Sequence, residues 1–148
     1  SVTEPAFTAA VEAAFADRAD ELGDYPAEAF LYRQHLLAEH GNQYYARAQR
    51  ARELVTAGVD DALEGVDALA GPTTPMVAPA WGGENYLADS SLDEAVRTTG
   101  PFNLTGHPAV SVPCGAVDGL PVGLQFVARR GADATALRAA AVWEAVGE

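Results

Sequence analysis

Proline placement restricts the fold of this chain more than any other feature of its sequence. Seven of the nine prolines lie between residues 72 and 121, and the other two are Pro5 and Pro26. Because proline lacks a backbone N–H and fixes φ, it interrupts helix interiors and the ladders of central strands. It is tolerated in the first turn of a helix, which is where the pattern places Pro5. The sequence therefore predicts helices over residues 1–65 and short strands with turns over residues 66–148.

Three helices are predicted in the first part. Thr3 can cap the first one, whose apolar residues recur at helical spacing. The segment Gly23–Pro26 breaks this pattern, and a second helix follows it and ends near Gly41. Asn42 can cap a third helix that runs as far as Leu63.

Short apolar runs in the second part predict buried strands. These runs span residues 66–70, 109–112 and 122–127. Asp118–Gly119 is a turn signal between the last two runs and predicts a hairpin with a somewhat long loop, while Asp133 can cap a final helix. The apolar side of that helix consists of Leu137, Ala140 and Trp143. Helices followed by strands and a further helix indicate an α/β or α+β protein, which we treat as a single unit over residues 1–148.

The charge balance restricts the partners of the chain. With 21 acidic and 9 basic side chains, its formal net charge is -12, so a nucleic-acid backbone or an anionic membrane would repel it. A single cysteine, Cys114, excludes an internal disulfide and a cysteine-based zinc site. No apolar run approaches the roughly 20 residues of a membrane span, and the acidic N-terminus is unlike a signal peptide. We expect a soluble, cytoplasmic protein.

The basic residues are all arginine, and the chain contains no lysine. An acidic, lysine-free, alanine-rich chain is typical of a halophilic cytoplasm, where dense counter-ions screen repulsion among carboxylates. A GC-rich genome is the alternative explanation, since it favours alanine, glycine and arginine codons. Codon bias alone does not account for 21 acidic residues.

Conventional catalytic patterns are weak in this sequence. His35 and His40 are five residues apart, which is off the i, i+4 spacing that places two metal ligands on one helix face. Cys114 follows His107 by seven residues, so a Cys–His nucleophile is conceivable, but a small buried thiol is commoner at the end of a strand. None of the four serines lies in a glycine-rich turn. No metal, no cofactor and no self-sufficient active site are predicted.

Several segments carry a family resemblance in their order and spacing. They are Asn42–Pro75, Thr99–Gly115 (TGPFNLTGHPAVSVPCG) and Gly119–Val127 (GLPVGLQFV). Together they closely resemble the C-terminal portion of the amidase signature family, over about residues 42–145. The resemblance implies an α/β fold in which N-terminal helices precede strands of a mixed sheet and a C-terminal helix. It also implies hydrolysis of an amide bond through a serine acyl-enzyme.

The resemblance also shows which parts are missing. The family's catalysis uses a serine nucleophile in a Gly/Ser-rich loop, a second serine in a strained cis peptide and a lysine, all upstream of the matched segments. This chain has no lysine and no Gly-Ser-Ser-Gly run, so none of its residues is assigned as catalytic. We therefore expect a C-terminal fragment that is inactive without its N-terminal amidase portion and that either folds alone or self-associates through an exposed apolar sheet face. The alternative is a non-catalytic partner or scaffold module that keeps only the amidase tail fold.

Five polar or aromatic residues are candidates for the wall of a cleft that binds a small amide substrate. Thr99, Asn103 and Gln125 lie in the family-like segments, and backbone support is the alternative role for each of them. In particular, the Asn103 side chain can hold a proline-bent loop over residues 99–103 that leads to the predicted strand at Ala109. Trp81 and Tyr86 lie in the loop between Pro79 and Thr99, where variable substrate contacts are common. For these two aromatic residues the alternative is cover for the edge of the sheet.

The substrate class is only partly restricted. Family members that hydrolyse glutamine for transamidation carry an acidic residue three positions before the threonine that corresponds to Thr99. Here that position is Val96, beside Arg97, so an ammonium group would have no counter-charge. The resemblance therefore disfavours a glutamine-dependent tRNA amidotransferase and leaves the amide unidentified.

The net charge predicts a salt-dependent stability. We expect the melting temperature to rise steeply between dilute buffer and molar KCl, because a Debye length of about 3 Å in molar salt relieves carboxylate repulsion. Thermal unfolding followed by circular dichroism across that range measures the effect. A melting temperature that does not change with salt would favour codon bias as the origin of the composition.

Overall fold

The structure is a computed structural model that describes residues 4–21, 23–80 and 94–146. It confirms an α/β fold in which helices come first and strands follow. In chain order the elements are α1 (Pro5–Arg18), α2 (Asp24–His40), α3 (Gln43–Ala62), β1 (Ala68–Pro72), α4 (Gly100–Thr105), β2 (Ala109–Val117), β3 (Leu120–Ala128) and α5 (Asp133–Val146). The chain divides into two compact units, Ser1–Arg47 and Ala48–Glu148.

The first unit is helical, as predicted. Pro5 opens α1, and the N-cap position belongs to Glu4, whereas Thr3, the predicted cap, lies outside the described residues. Gly41 ends α2 with φ of 56°, and its N–H donates to the Leu37 carbonyl at 2.9 Å, which is a glycine-dependent helix stop. The rings of Phe15 and Phe30 stack with centroids 5.6 Å apart.

An exposed ion pair follows α1 in the same unit. The Arg18 guanidinium donates to the Glu21 carboxylate, and this contact lowers the pKa of Glu21 below its usual value. Because both side chains are largely exposed, water screens the pair and its contribution to stability is small.

The second unit contains a three-stranded sheet in the order β1-β3-β2. Both strand pairs are antiparallel, so the mixed sheet expected from the family stays a prediction for a longer chain. Asp118 and Gly119 both have positive φ, of 52° and 79°, which suits a two-residue hairpin turn. The predicted hairpin is thus present, but its loop is short rather than long, because β2 and β3 stay paired as far as Val117 and Leu120.

Strand β2 is longer than the predicted run of residues 109–112. It continues past Pro113 because the β2–β3 register shifts between Pro113 and Ala116, where Gly115 has φ of 123°. This bulge accommodates a proline on a strand that pairs on one side only among the described residues. Cys114 lies within it and is exposed, so the expectation of a buried thiol was wrong.

Helix α5 packs on the sheet and contacts all three strands. The Trp143 indole donates from Nε1 to the Pro113 carbonyl at 3.0 Å, and its ring lies 6.5 Å from that of Phe126. The small residues Ala136 and Ala140 are buried in this contact, whereas Leu137, predicted on the packed side, is 60% exposed. The helix thus approaches the strands through alanines.

The segment from Thr99 to Asn103 was predicted as a proline-bent loop, and the structure corrects this. It begins a short helix, α4, with Pro101 in the first turn, where a missing N–H leaves no hydrogen bond unmade. The helix ends at Gly106, which has φ of 76° and donates its N–H to the Phe102 carbonyl at 2.8 Å.

Leu63 provides a test of the packing in the second unit. Its side chain is 0% exposed, so we expect Leu63→Ala to lower the free energy of unfolding by about 2–5 kcal/mol. The matched control is Leu54→Ala, because Leu54 on α3 is 77% exposed and its truncation leaves no cavity. Urea unfolding of both variants measures the difference, and equal losses would contradict the burial of Leu63.

Candidate functional site

Three of the five predicted site residues line one cleft. The cleft has a volume of about 190 Å³ and includes Thr99, Asn103 and Gln125. Its remaining lining residues are Thr73, Phe102, Ala109, Val110 and Ser111. The other two predicted site residues, Trp81 and Tyr86, lie outside the described residues.

Gln125 joins two chain segments beside the cleft. It lies on the central strand β3 and is 5% exposed. Its amide Nε2 donates to the Pro72 carbonyl at 3.0 Å and to the Thr98 carbonyl at 2.9 Å. Both amide hydrogens therefore satisfy backbone carbonyls that would otherwise lose their hydrogen bonds. Gln125 thus makes the contacts expected of its alternative role, which is support of the backbone.

Threonine contacts reinforce the same junction. The Thr98 hydroxyl donates to the Thr73 carbonyl at 2.6 Å, and the Thr73 N–H donates to the Gly123 carbonyl at 2.8 Å. The Thr73 Oγ1 lies 2.5 Å from the Ser111 Oγ. Neither Thr73 nor Ser111 was predicted as a site residue, although Ser111 is the register partner of Gln125.

Thr99 and Asn103 contribute the side of the cleft formed by α4. Thr99 occupies the N-cap position without a side-chain cap, and its hydroxyl instead reaches the Val96 carbonyl at 3.4 Å. The Asn103 side chain has no hydrogen-bond partner among the described residues, while its backbone N–H donates to the Thr99 carbonyl at 3.2 Å.

A second polar cluster surrounds His107, whose side chain is 0% exposed. The ring Nδ1 lies 2.8 Å from the Thr105 hydroxyl, and Nε2 lies 3.1 Å from the Asp60 carboxylate. Arg130 donates to the other oxygen of Asp60 at 2.8 Å. Both ring nitrogens are therefore engaged, and the cluster fastens the end of α3 to the segments that flank the hairpin.

This geometry bears on the Cys–His alternative. Cys114 is exposed on β2, and its Sγ lies 3.6 Å from the Val122 carbonyl. Because His107 is committed to Thr105 and Asp60, the described structure gives Cys114 no imidazole base.

Residues 4–21, 23–80 and 94–146 hold no group of three or more His, Cys, Asp or Glu side chains arranged to bind a metal ion. Over the same ranges, no helix combines the length and the apolar character needed to cross a membrane.

Comparison with known proteins places these elements in a family. The model of the Amidase family matches residues 6–137, which include the cleft and every strand. The chain belongs to the Amidase family. This membership confirms the resemblance carried by the segments around Thr99 and Gln125.

Relatives in the amidase family include the A subunits of two glutamyl-tRNA(Gln) amidotransferases. The one from Symbiobacterium thermophilum is 46% identical over 112 residues, covering 75% of this chain and 22% of that protein. The one from Halobacterium salinarum is 39% identical over 138 residues, covering 88% of this chain and 31% of that protein.

Solved amidase-family structures share the fold. A crystal structure of an amidase aligns with a TM-score of 0.73 and 30% identity, covering 93% of this chain and 32% of the other. The A subunit of glutamyl-tRNA(Gln) amidotransferase from Thermotoga maritima aligns with a TM-score of 0.59 and 28% identity, covering 86% of this chain and 28% of the other. The chain thus spans about a fifth to a third of the length of the relatives it matches.

The Gln125 amide predicts a stability effect. Gln125→Leu keeps most of the side-chain volume but leaves the Pro72 and Thr98 carbonyls without their donor, so we expect a loss of about 1–3 kcal/mol in the free energy of unfolding. Urea unfolding measures this loss. Gln34→Leu, at an exposed position on α2, is the control and should differ little from the parent. A Gln125→Leu variant as stable as the control would mean that the bridge contributes nothing to stability.

Proposed function

We propose that this chain is the C-terminal part of an amidase that hydrolyses an amide C–N bond through a serine acyl-enzyme. In the complete protein it forms one wall of the substrate cleft. The observation that carries the proposal is the cleft itself, because its lining comes from all three family-like segments. Thr73 belongs to the first segment, Thr99 and Asn103 to the second and Gln125 to the third.

The chemistry of amide hydrolysis supports a nucleophile outside this chain. An amide is a poor electrophile, so the reaction needs an activated nucleophile, a proton for the leaving amine and donors aimed at the oxyanion. Ser111 is hydrogen-bonded to another hydroxyl, and Cys114 has no imidazole base beside it among the described residues. The sequence contains no lysine to activate either of them.

The partner that we propose is the remaining portion of the amidase chain. Apolar side chains on α5 stay exposed, with Val142 at 64% and Val146 at 79%. Together with Phe126 and Trp143 they line a cavity of about 710 Å³. An apolar patch of this kind favours either binding of the absent portion or self-association of the isolated chain.

A cytoplasmic, high-salt setting is also part of the proposal, and it rests on the amino-acid composition.

A second candidate function is that of the A subunit of an amidotransferase. The curated relatives support it, since the two named above are such subunits, at 46% and 39% identity. Val96 opposes it, because a glutamine ammonium would meet no carboxylate at that position. The third possibility is the non-catalytic module, which predicts no amide hydrolysis even when the upstream reading frame is included.

One assay separates these candidates. The 148-residue chain and the product of the complete reading frame are compared on aliphatic amides, aryl amides and glutamine. We expect no turnover by the chain alone and turnover by the longer product, with kcat/KM for glutamine below that for the best neutral amide.

Each contrary result of this assay would favour a different candidate function. If the chain alone hydrolysed an amide and Cys114→Ala abolished the activity, the fragment interpretation would be wrong. A longer product with the highest kcat/KM for glutamine would decide for the amidotransferase. A longer product without any hydrolysis would decide for the scaffold module.

A further inference from the structure

The hydroxyls of Thr73 and Ser111 form a pair in the cleft, and one of their two hydrogens remains available for donation to another group. Thr73 Oγ1 and Ser111 Oγ are 2.5 Å apart, and either atom can be the donor. Each hydroxyl carries a single hydrogen, so one is consumed between them and the other is left for a third group. Within the described ranges, no acceptor for that second hydrogen is found among the protein atoms.

Gly123 provides the space in which this pair sits. A Cβ atom at position 123 would lie 2.7 Å from both hydroxyl oxygens and 3.2 Å from the Thr73 Cβ. Real Cβ atoms do not approach other atoms that closely, so any side chain there would displace the hydroxyls. A glycine inside a central strand weakens the strand and commonly marks a close approach of other groups. Here the approaching groups are the two hydroxyls.

The rest of the cleft is neutral. None of its lining residues is ionisable, and Phe102, Ala109 and Val110 supply apolar surface. Asn103 adds an amide that can both donate and accept. The volume of about 190 Å³ is below the roughly 300–1,000 Å³ of pockets that enclose drug-sized ligands, so the cleft suits one small group of a larger molecule.

Charge also selects against ionic groups. An ammonium entering the cleft would find no carboxylate among the lining residues, and a carboxylate would find no cation there. The net charge of -12 adds a general repulsion for anions. Only a neutral polar group can exchange its water hydrogen bonds for those of the hydroxyl pair and Asn103 without leaving a charge unpaired.

We propose that the Thr73–Ser111 pair is a specificity-determining subsite that donates a hydrogen bond to the carbonyl oxygen of a neutral amide. This rests on the proposed function only in identifying the amide as substrate, since binding requires no turnover. The pair selects neutral amides over their carboxylate and amine counterparts.

Backbone-amide NMR of the 148-residue chain tests the subsite directly. Benzamide, benzoate and benzylammonium are titrated separately, because they share a ring and differ in charge. We expect benzamide to shift the signals of Thr73, Asn103, Ser111 and Gly123 in a saturable way, and the two ions to shift them less at every concentration. If benzamide causes no shifts at these residues, or if benzoate or benzylammonium binds as tightly as benzamide, the proposal fails.

Two variants separate a hydroxyl contact from a general effect. A hydroxyl left alone keeps its own hydrogen to donate, so Thr73→Val is combined with Ser111→Ala, and we expect this double variant to weaken benzamide binding by ~3- to 10-fold, the equivalent of one neutral hydrogen bond. Thr56→Val on α3 is the control of the same chemical type and should leave the affinity unchanged. If that double variant does not fold, Thr73→Ala combined with Ser111→Ala decides.

Unchanged affinity in a folded cleft variant would overturn the subsite. Failure of the proposed function is distinct from this result, since an inactive full-length product would not alter benzamide binding by the chain. Conversely, an active product combined with unaltered binding in the double variant would leave the amidase assignment intact and remove only the subsite.

Discussion

The side-chain amide of Gln125 is the contact on which the cleft depends. Its two acceptors, the carbonyls of Pro72 and Thr98, are 53 and 27 residues away along the chain. Pro72 is the last residue of β1, and its carbonyl accepts a hydrogen bond from a side chain. A buried amide on the central strand supplies that donor and reaches the segment before α4 at the same time. The cleft forms where these two pieces are held together.

Local sequence patterns predicted the helices and the hairpin because their signals lie within a few residues of each other. The turn at Asp118–Gly119 and the stop at Gly41 are examples, since each depends on positive φ at one or two positions. Helix α4 was not predicted, because the glycine and proline of its first turn resemble a loop signal, although proline is also favoured in a first turn. Leu137 was misplaced because alanines, which carry a weak apolar signal, form the packed face of α5.

The candidate site was predicted in part, and the reason is its dependence on register. Thr99, Asn103 and Gln125 were found through family-like segments, and the fold brings them into one cleft. Thr73 and Ser111 are 38 residues apart and meet only because β1 and β2 flank β3 in a particular alignment. The separation of Thr73 and Ser111 in the sequence does not reveal that alignment. A glycine within a strand run, Gly123, was the one local sign that other groups approach the backbone there.

Prolines limit how far the sheet can grow at either of its edges. An exposed strand edge is a template for pairing with other chains, and proteins blunt such edges with prolines and irregularities. Strand β2 has both, in Pro113 and in the register shift before Ala116, so a further strand could pair regularly only along Ala109–Val112. Strand β1 offers an equally short stretch, Ala68–Gly71, before Pro72. A strand added at either edge, whether from the same polypeptide or from another molecule, would therefore pair regularly over only a few residues.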